Sequence, residues 1–524
     1  MYDILFEGAQ IADGSGKAAF TANLATLSSS IALIGNERVR ARNHIDARGL
    51  TLVPGFIDIH AHSELYALKE PSVPLRTAQG ITSDVSGNCG IGPFPYMADD
   101  EVLPRFSSDV LGRYHSPWPW TGFSSFRACL DKEGCSMNRM FLQAHSPLRI
   151  MAMGTDTDRA ATDEEIEMMC SLLDRSLEEG AMGFSTGLYY QPCFSADDRE
   201  LEALLRVVKK HDALFAVHMR SEGDDILKAA EEVLSLSLKT GVRLEISHLK
   251  VIGRRNEDKL EPLLQLIHSY HDRGLDVGFD AYAYNVGSTS LFSLLPPSVL
   301  TLSRTEQRFA LQLESTRSEM KKAMLDPVGW ESIYALAGAG RIRILHLDSR
   351  SDLNGLSLEE LADKAGCDPL DALFDVLSEE TGTALMSDET ESEAVLETIL
   401  SDELMSFSTD ALYSSFPAHP RSHSASIKFL SFSLPEHRIL TFEDCIRRMT
   451  SINAGRLGLK DRGVVRESAC ADLVLLDRSR LSCEWDGKAN PAVRLVCVNG
   501  RIVWQDGQCC DSRAGRILLK NPAR

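Results

Sequence analysis

The chain runs to 524 residues, 44% hydrophobic and 25% charged, a length for two to four domains or one large barrel with additions and a composition ordinary for a globular protein. Its 55 Lys plus Arg against 75 Asp plus Glu leave a formal net charge of −20, which removes the electrostatic ground for a nucleic-acid or anionic-membrane partner. No apolar run approaches the ~18 residues of a membrane span, residues 1–8 carry no basic-then-apolar leader, and the twelve cysteines are scattered without regular spacing, so reduced thiols in a cytoplasmic protein are expected.

In chain order, short β-like segments come first, at 2–12 and 31–45. From about residue 50 to residue 460, strand-like apolar runs alternate with amphipathic helical stretches, the pattern of βα units. Eight runs qualify as barrel strands: 55–59, 81–85, 140–144, 182–185, 214–217, 244–247, 277–280 and 404–408. The helices between them are well marked. At 163–179, Thr162 and Glu165 stand three apart as a capping box, and Ile166, Met169, Cys170, Leu173 and Leu177 keep helical spacing. Further helices are expected at 198–211, 225–239 and 259–272. Residues 291–345, carrying Pro296-Pro297 and a long polar helix, separate the seventh and eighth runs and form a candidate active-site lid. β-like segments return at 471–477 and 495–505, where Asn499-Gly500 signals a hairpin. The expected architecture is α/β: a (β/α)8 TIM-like barrel over 55–461, with a small β-sandwich domain assembled from 1–54 and 462–524.

Polar residues end the strand-like runs in a repeated phase. His60 and His62 follow the first, Cys89 lies just past the second, His218 and His248 end the fifth and sixth, and Asp410 follows the eighth. In a parallel barrel the carboxyl ends of the strands and the loops after them form the catalytic face, so this phase points to one shared metal site. Extended residues two apart face the same side, which lets both imidazoles of His60-Ala61-His62 address one ion. A thiolate with imidazoles suits Zn²⁺ and leaves a position open for water. A carboxylate beside such a metal can take a proton from water and return it to a leaving nitrogen, the role expected of Asp410.

The run Leu52-Val53-Pro54-Gly55-Phe56-Ile57-Asp58-Ile59-His60-Ala61-His62 resembles the first-strand signature of the amidohydrolase superfamily. Gly87-Asn88-Cys89-Gly90-Ile91-Gly92, Ser185-Thr186-Gly187-Leu188-Tyr189-Tyr190, His218-Met219-Arg220-Ser221-Glu222-Gly223 and Glu245-Ile246-Ser247-His248-Leu249-Lys250 are similar to the D-aminoacylase branch, the N-acyl-D-amino-acid deacylases. The likeness covers nearly the whole chain. It implies a tight zinc site at Cys89, His218 and His248, with His60 and His62 at a second, weaker metal position, and a catalytic Asp410. It further implies that Lys250, Tyr282, Ser288 and Arg421 grip the free carboxylate of a small-molecule substrate. The D configuration comes from this resemblance alone. The chain departs from the branch at Ser422-His423-Ser424-Ala425-Ser426 and at Phe279-Asp280-Ala281-Tyr282-Ala283-Tyr284, which lacks the usual prolines, so the pocket walls are expected to differ. Two alternatives stand beside this reading. One is a cyclic amidase of the dihydroorotase or hydantoinase kind, which typically uses a lysine bridge where this chain has Cys89; the other is a noncatalytic scaffold built on the same barrel.

Overall fold

The computed structural model describes residues 1–97, 102–115, 117–415, 419–437, 439–481, 490–510 and 513–520. Eight parallel strands lie in one sheet in chain order: β1 (Phe56–Asp58), β2 (Ile81–Ser86), β3 (Asn138–Ala144), β4 (Gly183–Gly187), β5 (Leu214–His218), β6 (Arg243–Ile246), β7 (Val277–Ala281) and β8 (Met405–Phe407). Each falls within two residues of its expected run. The sheet closes just beyond β1 and β8, where Ala61–His62 pairs in parallel with Ala411–Leu412 and the Asp410 N–H donates to the His60 carbonyl at 2.9 Å. Asn453 seals the same seam from the other end, its Nδ2 donating to the Ile57 carbonyl at 2.6 Å and the Phe407 carbonyl at 2.8 Å. Closure therefore puts His60 and Asp410, at opposite ends of the barrel sequence, side by side.

The strands alternate as a pleat requires. Leu214 and Ala216 join Ile57, Met140 and Met182 in one cluster, while Phe215 and Val217 belong to the layer packed with the surrounding helices. His218 continues the phase of Leu214 and Ala216, so it faces the barrel axis at the carboxyl end of its strand. The helix at Asp163–Glu178 begins at the expected capping box, with the Glu165 N–H donating to Thr162 Oγ1 at 3.3 Å and the Thr162 N–H to Glu165 Oε2 at 2.7 Å.

Both chain ends meet in a separate nine-stranded sheet, in which Thr51–Pro54 pairs antiparallel with Leu473–Leu476. It encloses its own apolar cluster, including Phe6, Leu24, Leu52, Leu473 and Leu495. The hairpin forms at Asn499 and Gly500, whose φ values of 48° and 78° are both positive, as a two-residue turn of this kind demands. Within the expected C-terminal part, 482–489, 511–512 and 521–524 lie outside the described residues.

Between β7 and β8 the chain builds a second body. Val286–Ser290, Ala384–Glu389 and Ile342–Leu347 form an antiparallel sheet backed by a cluster that includes Leu291, Leu311, Ile344 and Phe374. The long polar helix expected here is two helices, Arg304–Gln312 and Glu314–Leu325, because Leu313 between them takes an extended conformation with ψ 121°. No helix among the described residues is long and apolar enough to cross a membrane.

Candidate active site

Three of the polar residues that end the barrel strands have left-handed backbones: Cys89 at φ 53°, His248 at 34° and Asp410 at 47°. Non-glycine residues rarely hold this conformation, which costs on the order of 1–3 kcal/mol, and it persists only where surroundings over-determine it. The surroundings of Cys89 show how. The Gly90 N–H donates to Ser185 Oγ at 3.0 Å, Ser185 Oγ donates to the Gly87 carbonyl, and the Gly87 N–H donates to Glu64 Oε1 at 2.6 Å. Gly187 packs so closely on the Cys89 carbonyl that a Cβ would collide with it. The motifs around Cys89 and Ser185 are thus two halves of one loop contact.

The donors these loops present converge. Cys89 Sγ lies 3.3 Å from His60 Nε2 and 3.4 Å from His248 Nε2, and His218 Nδ1 lies 2.9 Å from His248 Nε2. His60 Nε2 and His62 Nε2 stand 3.4 Å and 3.3 Å from Asp410 Oδ1. Three overlapping sets, His60–Cys89–His248, His60–His62–Asp410 and His218–Glu222–His248, each hold donor atoms within 4.8 Å of one another, and all these residues are buried. Burial pushes the Cys89 thiol up, but the His60 and His248 imidazoles outweigh it and hold the group well below the ordinary thiol range. Sulfur, nitrogen and carboxylate oxygen facing one small volume fit a divalent transition metal, and the buried His62 Nδ1 has no hydrogen-bond partner in the protein.

Asp410 bridges this cluster to a cationic one. Its Oδ2 lies 2.8 Å from Arg421 Nη1, and the side chain of Arg421 is only 1% exposed. Burial pushes the Asp410 carboxyl up, yet Arg421 and His60 hold it well below the usual carboxylate range. Arg421 Nη2 donates to the Ser288 carbonyl at 2.8 Å, and its guanidinium carbon sits 4.9 Å from the Tyr282 ring centre. Lys250 Nζ lies 5.9 Å from that ring centre and 3.1 Å from Glu222 Oε2. The structure thus brings Lys250, Tyr282, Ser288 and Arg421 together beside Asp410. Tyr282 Oη, Ser288 Oγ and Arg421 Nε are buried donors with no hydrogen-bond partner in the protein, a costly state unless an anion is meant to meet them.

Sequence reasoning missed Glu222, Asp280 and Asp388. Glu222 Oε1 lies 3.0 Å from His248 Nδ1, so the residue touches a metal-set imidazole with one oxygen and Lys250 with the other. Its place four residues after His218 was the available signal. Asp280 accepts the His248 N–H at 3.0 Å and stands 3.2 Å from His60 Nδ1, fixing the ring that faces Cys89. Asp388 reaches the cavity wall from the inserted body, and burial pushes its carboxyl up to about 6.

Fold and donor set together define a metal-dependent hydrolase barrel. The chain belongs to the amidohydrolase family, whose model matches residues 43–504. It is 29% identical to the D-aminoacylase of Alcaligenes xylosoxydans xylosoxydans, over all of this chain and 98% of the relative. It is 30% identical to the N-acyl-D-glutamate deacylase of the same organism, over 99% of this chain and 97% of the relative. Among solved structures, an N-acyl-D-glutamate deacylase from Bordetella bronchiseptica, complexed with zinc and a phosphonate mimic of the tetrahedral intermediate, superposes with a TM-score of 0.84 at 29% identity, covering 99% of each chain.

Proposed function

We propose that this protein is a zinc-dependent N-acyl-D-amino-acid deacylase, which releases a carboxylic acid and a free D-amino acid. The observation that carries the reading is Asp410, which joins the Cys89 and histidine cluster on one side to Arg421 and its unpartnered neighbours on the other. The names of the relatives, all deacylases of D-configured substrates, support the handedness.

In this reading Cys89, His218 and His248 hold the tighter ion, and His60 and His62 serve a second, weaker position. Zinc bound there supplies Lewis acidity toward the scissile carbonyl and the attacking water. Arg421, Lys250, Tyr282 and Ser288 take the substrate carboxylate, which gives the three orphaned donors their acceptors. Asp410 accepts the proton from water as its oxygen adds to the carbonyl carbon. The same carboxyl then gives the proton to the nitrogen as the C–N bond breaks. The insertion at 291–345 acts as the lid, a role supported by Glu331 and Ile333, which line the cavity. The barrel at 55–461 and the β unit from 1–54 and 462–524 are the two domains. The described cysteines are all free, which suits a reducing compartment such as the cytoplasm.

The test is release of free amine from paired N-acetyl-D- and N-acetyl-L-amino acids by zinc-loaded protein, with a chelated sample alongside. Chelator-sensitive release from the D series is expected. Release from the L series alone, or silence toward every acylated amino acid with zinc in place, removes the reading; turnover of hydantoins in the second case would put a cyclic amidase in its stead.

A further inference from the structure

The room at the metal face is small, about 50 Å³, and next to it lies a cavity of about 440 Å³. Ile91, Val110, Tyr190 and Thr289 line both, so the two spaces adjoin at a common wall, in which Tyr190 Oη and Thr289 Oγ1 are hydrogen-bonded at 3.4 Å and must part for a chain to pass from one to the other. Beyond the common wall, Phe106, Ile150, Phe292, Leu300 and Leu302 line the larger cavity with apolar surface. Of the three charged residues in the lining, Glu306 accepts from the Ser303 N–H and Oγ and the other two face each other. Asp109 Oδ2 accepts from Ser290 Oγ at 2.6 Å and from Arg304 Nη2 at 3.0 Å, and the Arg304 guanidinium lies 3.5 Å from the centre of the Phe292 ring. A chamber of this size, mostly apolar in surface and with Asp109 and Arg304 paired, suits an uncharged, extended hydrocarbon.

Position around the barrel says which part of the substrate enters it. Tyr282, Ser288, Asp410 and Arg421 follow β7 and β8, so the amino-acid half of a substrate lies over those strands. Ile91, Phe106 and Val110 follow β2, Ile150 follows β3 and Tyr190 follows β4, while Phe292, Leu300 and Leu302 come from the insertion after β7, so the cavity lies between the β2–β4 loops and the inserted body. A scissile amide held by its carboxylate against Arg421 and Ser288, with its carbonyl at the metal face, can turn its acyl carbon toward the wall shared with the cavity, where Ile91, Val110 and Tyr190 stand.

We propose that the 440 Å³ cavity is an acyl-chain site and that the substrates are N-acyl-D-amino acids with an unbranched acyl chain well beyond acetyl. The proposal rests on the deacylase reading and adds its substrate class. Each methylene moved from water into the cavity is worth up to about fourfold in kcat/KM.

The experiment compares kcat/KM of the zinc-loaded enzyme for N-acetyl-, N-butanoyl-, N-hexanoyl- and N-octanoyl-D-leucine, and for N-acetyl-D-alanine and N-acetyl-D-phenylalanine. A rise with acyl length that reaches at least ~10-fold from acetyl to octanoyl is expected. Leu302→Trp and Thr157→Trp, both at half-buried positions of the cavity wall, should lower the octanoyl-to-acetyl ratio. Equal rates across acyl length, or a gain that follows the amino-acid side chain instead, overturns the acyl site while leaving the deacylase reading intact. An unchanged ratio in both folded variants overturns it as well. No turnover of any D-configured substrate removes the deacylase reading and the acyl site together.

Discussion

Arg421 serves two neighbours with one guanidinium, and this decides what its loss should do. Nη1 faces the Asp410 carboxylate, while Nε has no protein acceptor and is available to a substrate carboxylate. Arg421→Ala should therefore raise KM for free-acid substrates about 10-fold or more, the worth of a charge-assisted hydrogen bond, and lower kcat as well. Carboxamide analogues should share the fall in kcat but not the rise in KM. Equal KM losses for acids and amides would remove Arg421 from carboxylate recognition. Asp410→Asn keeps the shape but not the basicity, so it should retain zinc and lose at least the ~10²-fold that general acid–base catalysis contributes, read from metal content and kcat together. Near-normal kcat in that variant would mean that another group moves the proton. Cys89→Ala should fail at an earlier step, by releasing zinc.

At the scale of elements, the inserted sheet carries a buried acid on its way back to the barrel. Glu391 follows Ala384–Glu389 and accepts the Val251 N–H at 2.9 Å, and burial pushes its carboxyl up to about 8. A carboxyl whose folded-state pKa is raised keeps its proton where the unfolded chain has lost it. Its ionisation thus costs stability as pH rises from about 4.5 to about 8, after which the cost levels off. Glu391→Gln keeps the acceptor for Val251 and removes the ionisation. We expect it to be neutral near pH 4.5 and stabilising by on the order of 2–4 kcal/mol at pH 8.5, measured by denaturant unfolding at both values. A pH-independent difference would mean that Glu391 is ionised throughout.

The same elements explain what could be read in advance. The strand Leu214–His218 is a short apolar run ended by a histidine, and the apolar residues before His60 and His248 likewise lead into a polar residue at the carboxyl end of their strands, so these runs were legible. The insertion showed as a long stretch, 291–345, between the seventh and eighth runs, but the sheet built there did not show. Its first strand, Val286–Ser290, reads Val-Gly-Ser-Thr-Ser, and its partner lies about a hundred residues further on, so no local alternation betrays the pair. Glu222 was hidden for a related reason. Its position in a loop after β5 is visible, but its meaning comes from His248 and Lys250 on the loop after β6.

For the whole molecule the question is whether the barrel and the terminal sheet unfold as one. A buried network joins them. Asp472 of the sheet pairs with Arg462 and accepts from Asn138 Nδ2 of β3 at 3.0 Å and from the Asn499 N–H at 2.6 Å. Asn499 Nδ2 donates in turn to Asn138 Oδ1 at 2.7 Å. Asp472→Ala leaves the Arg462 charge buried without its carboxylate and the Asn499 N–H without its acceptor, while Arg462 Nη2 keeps Asn499 Oδ1 and Asn138 Nδ2 keeps Ser83 Oγ, a change that typically costs about 3–5 kcal/mol. Because the severed network reaches both sides of the junction, the loss should lower a single calorimetric transition without splitting it. Zinc content and kcat/KM at 25 °C should stay close to those of the parent, since none of these residues reaches the metal face. Two separated transitions, with activity surviving the first, would show instead that the terminal sheet is dispensable to the barrel and that the junction holds two independent bodies.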